Sequence, residues 1–224
     1  SPGTYFPDCS SGLTNNITCI WIDYVCNKIL VKGRYIIAGV ANIDIYTGKT
    51  SIFQFQESYT NNPTNFDELE RFVSIYNPSE VILLSNLSDN EQDDVISYTN
   101  IKCNSIHRIR TDTVETNTNT SNPATVRAKN CEKPSYQKEI ITKFYAVDDY
   151  EVFSQNFYDH DVAAKAFCFL LDFVYQHNPN LVNKIDEPVF ENCSTRLTLA
   201  NHSLKQLNII DDSNYTGKYS SVAK

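Results

Sequence analysis

Residues 35–85 read YIIAGVANIDIYTGKTSIFQFQESYTNNPTNFDELERFVSIYNPSEVILLS, a pattern of strand, tight turn, strand, helix and strand with almost no slack between elements. Ile36, Ile37, Val40, Ile43 and Ile45 make a β-branched run, and Thr47-Gly48 supplies a turn. In the second strand Ser51, Phe53 and Phe55 share one side and Ile52, Gln54 and Gln56 the other, since side chains alternate along an extended chain. This predicts a hairpin with a two-residue turn in which Gly48 takes a positive φ. Thr64, three residues before Asp67, reads as a capping-box-like helix start, with Phe66, Leu69, Val73 and Tyr76 at helical spacing and Asn77-Pro78 as the stop. Val81-Ile82-Leu83-Leu84 then reads as a strand that is apolar on both faces. A helix crossing between two strands of one sheet, the second buried on both sides, predicts an α/β layer domain.

On the N-terminal side, residues 1–15 (SPGTYFPDCSSGLTN) are polar and broken by Pro2, Gly3, Pro7 and Gly12, as expected of a linker from a preceding domain. Ile17 to Val25 is apolar on both faces except at Asp23, the signature of a central strand. On the C-terminal side, Ser88 and Glu91 form a capping box for a helix running to about Tyr98 with Val95 inward. Ser105 to Arg110 reads as an edge strand carrying Ile106 and Ile109. Thr111 to Lys133, low in apolar residues and dense in Thr and Asn, reads as a surface loop. Helical spacing returns at Ser135 to Tyr145 through Tyr136, Ile140 and Phe144. Asp161 is expected to cap the strongest helix, DVAAKAFCFLLDFVYQHN, closed by His177-Asn178-Pro179, and the small Ala163 and Ala164 let it lie close to the sheet. Asn180 to Glu191 reads as an irregular connector. Beyond it Leu197, Ala200, Leu204 and Leu207 mark an amphipathic helix with no evident partner, expected to pack loosely or on a neighbour, so a boundary is placed near residues 180–195.

The 224 residues suffice for one sizeable core. A start at Ser-Pro-Gly-Thr and the lack of methionine read as a piece of something longer. The net charge of −8 disfavours wrapping a nucleic-acid backbone, which needs clustered Lys and Arg. The two local basic groups, Lys102 with Arg108 and Arg110, and Arg127 with Lys129 and Lys133, read as solvated surface. Seven cysteines without a C-x-x-C pair suggest neither a zinc site nor a disulfide framework, and Cys19 and Cys168, in apolar runs, read as core residues of a reduced intracellular protein. No apolar run reaches the roughly 18 to 20 residues of a membrane span.

Few constellations carry chemistry. Gly48-Lys49-Thr50 resembles the end of a phosphate-binding loop, but Ile43 stands where the first glycine is needed and a strand follows in place of a helix. His107, His160, His177 and His202 are scattered without ligand spacing. Asp23 and Asp44, on adjacent strands, are candidate metal ligands for a ribonuclease H-like or resolvase-like nuclease using two magnesium ions, with Asp148-Asp149 further along; the plainer reading turns both strand aspartates to solvent or a turn. On residues alone, no catalytic, cofactor-binding or metal site stands out.

Taken in order, several motifs resemble the connector domain of MutS-type DNA mismatch-repair proteins. Ser1-Pro2-Gly3-Thr4 resembles the T-P-G-T exit of the mismatch-binding domain, and Gly39-Val40-Ala41 through Asp44 to Thr47-Gly48 resembles the hairpin G-[LIV]-A-x-x-D-x-x-T-G. Leu69 to Leu84 resembles the family's helix followed by N-P-[SA]-E, and Leu197 to Ile210 resembles the start of the core domain. Asn208 departs from the acidic residue usual near Leu207, and the composition is similar to that of members from large DNA viruses or organelles. The resemblance implies a ribonuclease H-like mixed sheet flanked by helices, without nuclease activity. It divides the chain into a linker over 1–15, a connector over 16–180, and a linker with a truncated start of the helical core and lever domain over 181–224. Such a module joins the mismatch-binding domain to the ATPase and core domains, relays between them, and offers a surface to a MutL-like partner. It holds no cofactor itself; ATP, magnesium, mismatched DNA and dimerisation belong to the full-length protein, in an intracellular, organellar or viral-infection compartment.

Overall fold

The computed structural model describes residues 15–26, 33–60, 62–103, 105–112, 122–145 and 150–191. Its centre is a hairpin built from β1 (Asn16–Cys26), β2 (Arg34–Asp44) and β3 (Thr50–Ser58). A helix, α1 (Asp67–Tyr76), crosses to β4 (Glu80–Ser85), and α2 (Asp89–Tyr98) leads to β5 (Ser105–Arg110). Four helices follow, α3 (Pro123–Cys131), α4 (Pro134–Phe144), α5 (Tyr150–Gln155) and α6 (Asp161–His177), and then the short β6 (Val189–Phe190). The strand order is β5-β4-β1-β2-β3-β6. Only β2 runs against its neighbours; β4 and β5 lie parallel to β1, and β6 parallel to β3. That order, with one reversed strand second in sequence, is the ribonuclease H-like mixed sheet.

Alternation along the strands makes two cores. Cys19, Trp21, Ala41, Ile43 and Ile52 face α3 to α6, while Ile20, Ile22, Ala38, Val40, Phe53 and Phe55 face α1 and α2. Placement of β1 and β4 in the middle explains why they read as apolar on both sides. Between these layers one polar ladder is buried. Thr18 Oγ1 donates to Asn42 Oδ1 at 2.7 Å, Asn42 Nδ2 to Asn16 Oδ1 at 2.9 Å, and Asn16 Nδ2 to the carbonyl of Tyr76, the last residue of α1, at 2.7 Å. Each amide is satisfied only in the observed register, because a slip of one residue would turn these groups to the other face.

Helix α6 lies against β2 at Gly39. A Cβ built there would stand 2.3 Å from the amide nitrogen of Ala163 and 2.5 Å from the carbonyl oxygen of Val162. Gln54, the register partner of Gly39 on β3, completes the contact: its Oε1 accepts from Ala163 N at 2.9 Å and its Nε2 donates to the carbonyl of Asp159 at 3.1 Å. Asp161 is therefore not the cap; His160 holds the N-cap position without a side-chain hydrogen bond, and the cap comes from a neighbouring strand.

The β2–β3 turn is longer than the expected two residues. Asp44 N donates to Lys49 O at 3.0 Å and Gly48 N to Asp44 O at 2.7 Å, so Ile45 to Gly48 form the loop and Gly48 has φ +77°. Its missing side chain also makes room for the Lys184 carbonyl, which a Cβ would approach to 1.8 Å. Asp44 ties the loop together by accepting from Thr47 Oγ1 at 2.7 Å and from the amides of Asn15 and Tyr46, both at 3.1 Å.

Other details differ from the sequence expectations. The helix start at Thr64 belongs to Asn62, whose Oδ1 accepts from Thr64 N at 3.1 Å to open a 3-10 turn over Pro63–Phe66 before α1 begins. The end of the supposed Thr111–Lys133 loop is α3: Asn122 caps it, Pro123 occupies its first turn, and Ala128 and Cys131 are buried. Few apolar residues suffice because only one narrow face meets α6. The connector expected at Asn180–Glu191 is a 3-10 helix (Pro179–Lys184) followed by β6, which extends the sheet beyond β3. The helix expected at Leu197, Ala200, Leu204 and Leu207 lies outside the described residues.

Three outcomes follow from these contacts. Gly39→Val should lower the unfolding free energy by roughly 3 kcal/mol, since backbone rather than a side-chain tip must move; an unchanged urea midpoint would place α6 elsewhere. Gly48→Val should cost roughly 1 to 3 kcal/mol through left-handed strain, read as a lower thermal midpoint. Burial pushes the Asp44 carboxyl up, but the hydrogen bonds from Thr47, Asn15 and Tyr46 outweigh it and hold the pKa below the usual value. A depressed native pKa stabilises fully above the unfolded value of about 3.9 and loses that stabilisation as pH falls through the native one. Urea midpoints of Asp44→Asn should therefore vary less than those of the parent below about pH 4.

Candidate functional site

The register decides the fate of the strand aspartates. Asp23 pairs with Ile37, whereas Asp44 pairs with Asn16, so they stand at opposite ends of the β1–β2 ladder, roughly 24 Å apart at the rise of a strand. They also point to opposite faces: Asp23 follows Cys19 and Trp21 toward α6, and Asp44 follows Val40 and Asn42 toward the α1 layer. Each is engaged. Asp23 Oδ1 accepts from Trp21 Nε1 at 2.9 Å and Oδ2 from Lys165 Nζ at 3.3 Å, while Lys165 also lies over the Trp21 ring. Two carboxylates so placed cannot share a metal pair, so the Asp23 and Asp44 ligand set of the alternative nuclease reading is not assembled. Asp148-Asp149 lies outside the described residues. Among the described residues, no group of three or more His, Cys, Asp or Glu could hold a metal ion.

The stretch Gly48-Lys49-Thr50 does not fit a nucleotide phosphate. The Gly48 amide is taken by the Asp44 carbonyl, and Thr50 begins a strand. In the basic groups the arginines of the first are compensated by aspartates, whereas Arg127 and Lys133 of the second donate to neutral amides. Arg108 pairs with Asp93 at 2.5 Å, and Arg110 with Asp89 at 3.2 Å and Asp112 at 2.8 Å. Arg127 donates to Gln176 and Lys133 to Asn130. Sequence spacing did not reveal the pairing of His107 with Glu80 at 2.6 Å across β4 and β5, because the two residues become neighbours only in the sheet.

Cys19, Cys131 and Cys168 are wholly buried, and all five described cysteines are free. A hydrogen bond with Cys168, together with burial, pushes the Cys131 thiol up, and burial does the same to Cys19, so these groups pack rather than react. None of the described helices is long and apolar enough to cross a membrane.

One concave feature stands out. Beyond the carboxyl ends of β3 and β4, the segment leading into α1 faces α2 across a cleft of about 370 Å³. Tyr59, Phe66, Leu87 and Tyr98 supply its apolar wall, and Glu91 and Asp94 its charge. Ser88 and Glu91 form the expected capping box, with the Ser88 amide donating to Glu91 Oε2 at 2.8 Å. The other oxygen of Glu91 accepts from the Tyr59 hydroxyl at 2.9 Å, and the Tyr98 hydroxyl donates to Asp67. Burial, with the adjoining carboxylates, pushes the Tyr59 phenol up to about 12 and raises Tyr98 as well, so both remain hydroxyl donors across the physiological range. Sequence reading identified Glu91 only as a helix cap, since nothing local connects it to Tyr59.

A DNA mismatch repair protein MutS homologue of Acanthamoeba polyphaga mimivirus is 23% identical over 241 aligned positions, covering 99% of this chain and 21% of the relative, so the chain spans about a fifth of that protein's length. Among solved structures, fowlpox virus resolvase in complex with Holliday junction DNA matches with a TM-score of 0.35 and 16% identity, covering 71% of this chain and 99% of the resolvase. The family profile for MutS domain II matches residues 25–186, from the end of β1 through α6 and the following 3-10 helix. The chain belongs to the MutS family and is a divergent connector domain of it.

Proposed function

We propose that this connector is a non-catalytic relay. In the full-length protein it would join a mismatch-binding domain, reached through residues 1–15, to the ATPase and core domains, whose first residues lie within 181–224, and present a surface to a MutL-like protein. ATP, magnesium, contact with mismatched DNA and dimerisation would then belong to the full-length protein, and this segment would bind no cofactor of its own. The observation carrying the reading is the placement of Asp23 and Asp44 on opposite faces, each engaged in bonds that serve the fold. In a ribonuclease H-like sheet, cleavage would require carboxylates converging on shared metal ions. Pairing of Arg108 and Arg110 with aspartates supports the same reading, because phosphate binding draws on uncompensated cations.

The 224-residue chain should turn over no ATP and should bind a mismatched duplex no more tightly than a matched one at moderate salt. With magnesium or manganese it should leave branched and flapped DNA intact, as should Asp23→Asn. Metal-dependent cleavage abolished by Asp23→Asn would establish a nuclease instead, and a clear mismatch preference would reveal a reading site within the segment.

A further inference from the structure

The cleft between the β3–α1 connection and α2 contains more than the capping of α2 requires. Its volume lies within the range of ligand sites, and it opens beyond strand carboxyl ends, where open α/β sheets bind their ligands. Tyr59 and Tyr98 are each held by a carboxylate through the hydroxyl, which fixes their rings. Charge around them is one-sided. Asp94, at the rim, has no ion pair among the described residues, and Glu70 of α1 is 5% exposed with its Oε2 lacking any hydrogen-bond donor. Glu70, whose Oε1 accepts from Ser74 Oγ at 3.1 Å, stands behind the lining residues, and its charge bears on Tyr98. Arg34 is close enough to act on Tyr59 but does not line the cleft.

Aromatic faces beside unpaired carboxylates favour a cation, and a planar guanidinium can stack on tyrosine while donating to a carboxylate. The sign of the charge repels phosphate, which excludes a nucleic acid. Among the described arginines Arg71, Arg108 and Arg110 already hold carboxylates of their own, so a second copy of the chain would have to offer Arg34 or Arg127. We infer that the cleft receives an arginine side chain from a basic segment of a protein partner, stacked against Tyr59 and Tyr98 and paired with Asp94. The inference rests on the partner-surface role proposed above and places it at one position of the domain.

The test is a titration of the isotope-labelled 224-residue chain with a Gly-Ser heptapeptide carrying one central arginine, alongside its uncharged citrulline twin. Saturable amide shifts are expected around Tyr59, Phe66, Leu87, Glu91, Asp94 and Tyr98 with the arginine peptide alone. Asp94→Asn should weaken binding roughly fivefold or more, from loss of a charge-assisted pair. Tyr98→Leu, which keeps an apolar wall without the π face, should weaken it as well, with an unchanged spectrum elsewhere showing that the fold persists. Equal response to citrulline, shifts centred elsewhere, or indifference to Asp94→Asn would overturn the inference. So would self-association of the parent chain that Asp94→Asn abolishes, since the occupant would then be a second copy. Binding of a MutL-like protein, measured in parallel, separates the two readings. Partner binding without a cleft response overturns the cleft and leaves the connector role, whereas a cleft response without partner binding upholds the cleft and removes the role.

Discussion

The close seat of α6 on Gly39 is the constraint from which the rest of the fold follows. An α-helix ordinarily stands about 10 Å from a sheet because side chains fill the gap. Here the first turn of α6 touches the strand backbone itself, with Ala163 N and Val162 O where a Cβ would be. Such an approach would leave the helix's first amides stranded in a dry interface unless the sheet supplied an acceptor. Gln54 does so from the position directly across the ladder from Gly39. The pair fixes both the depth of α6 and its position along β2 and β3. Val162, Ala163, Ala166, Phe167 and Leu170 are thereby set into the core, and α3 to α5 pack around them.

On the opposite face, the ladder from Thr18 through Asn42 and Asn16 to the carbonyl of Tyr76 links the register of the central strands to the end of α1. An apolar substitute would pack as well but would not specify register, because apolar contacts lack direction. The sheet is thus clamped at both layers by amide side chains, Gln54 on one and Asn42 on the other.

The same rigidity shapes what the surface can offer. Carboxylates at the first turns of α1 and α2 are placed there by helix polarity, and the two helices start side by side because β3 and β4 end at the same edge of the sheet. Negative charge and tyrosine rings therefore gather at one end of the domain without any local motif announcing it. At the other end Asp44 ties the hairpin to its entry at Asn15, whose side chain also accepts from Ser79 Oγ ahead of β4.

Local sequence by itself determined most elements of this protein. Period-two alternation in residues 35–58, the capping box at Ser88 and Glu91, and the stop at Asn77-Pro78 are near-neighbour effects, and Gly48 declared its left-handed φ because glycine, lacking a Cβ, adopts one without strain. The ordered motifs, Gly39 to Gly48 above all, likewise led to the MutS connector. Other features could not be read locally. Helix α3 hides in a polar stretch because it buries only Ala128 and Cys131 toward α6. β6 is two residues long and exists only because β3 presents an open edge. Separation of Asp23 from Asp44 depends on a register that counts residues across the turn between strands, and the apposition of Tyr59 with Glu91 depends on where two helices start in space. Those are long-range pairings, and only the tertiary structure decided them, since neither partner carries a mark of the other in its own stretch of chain.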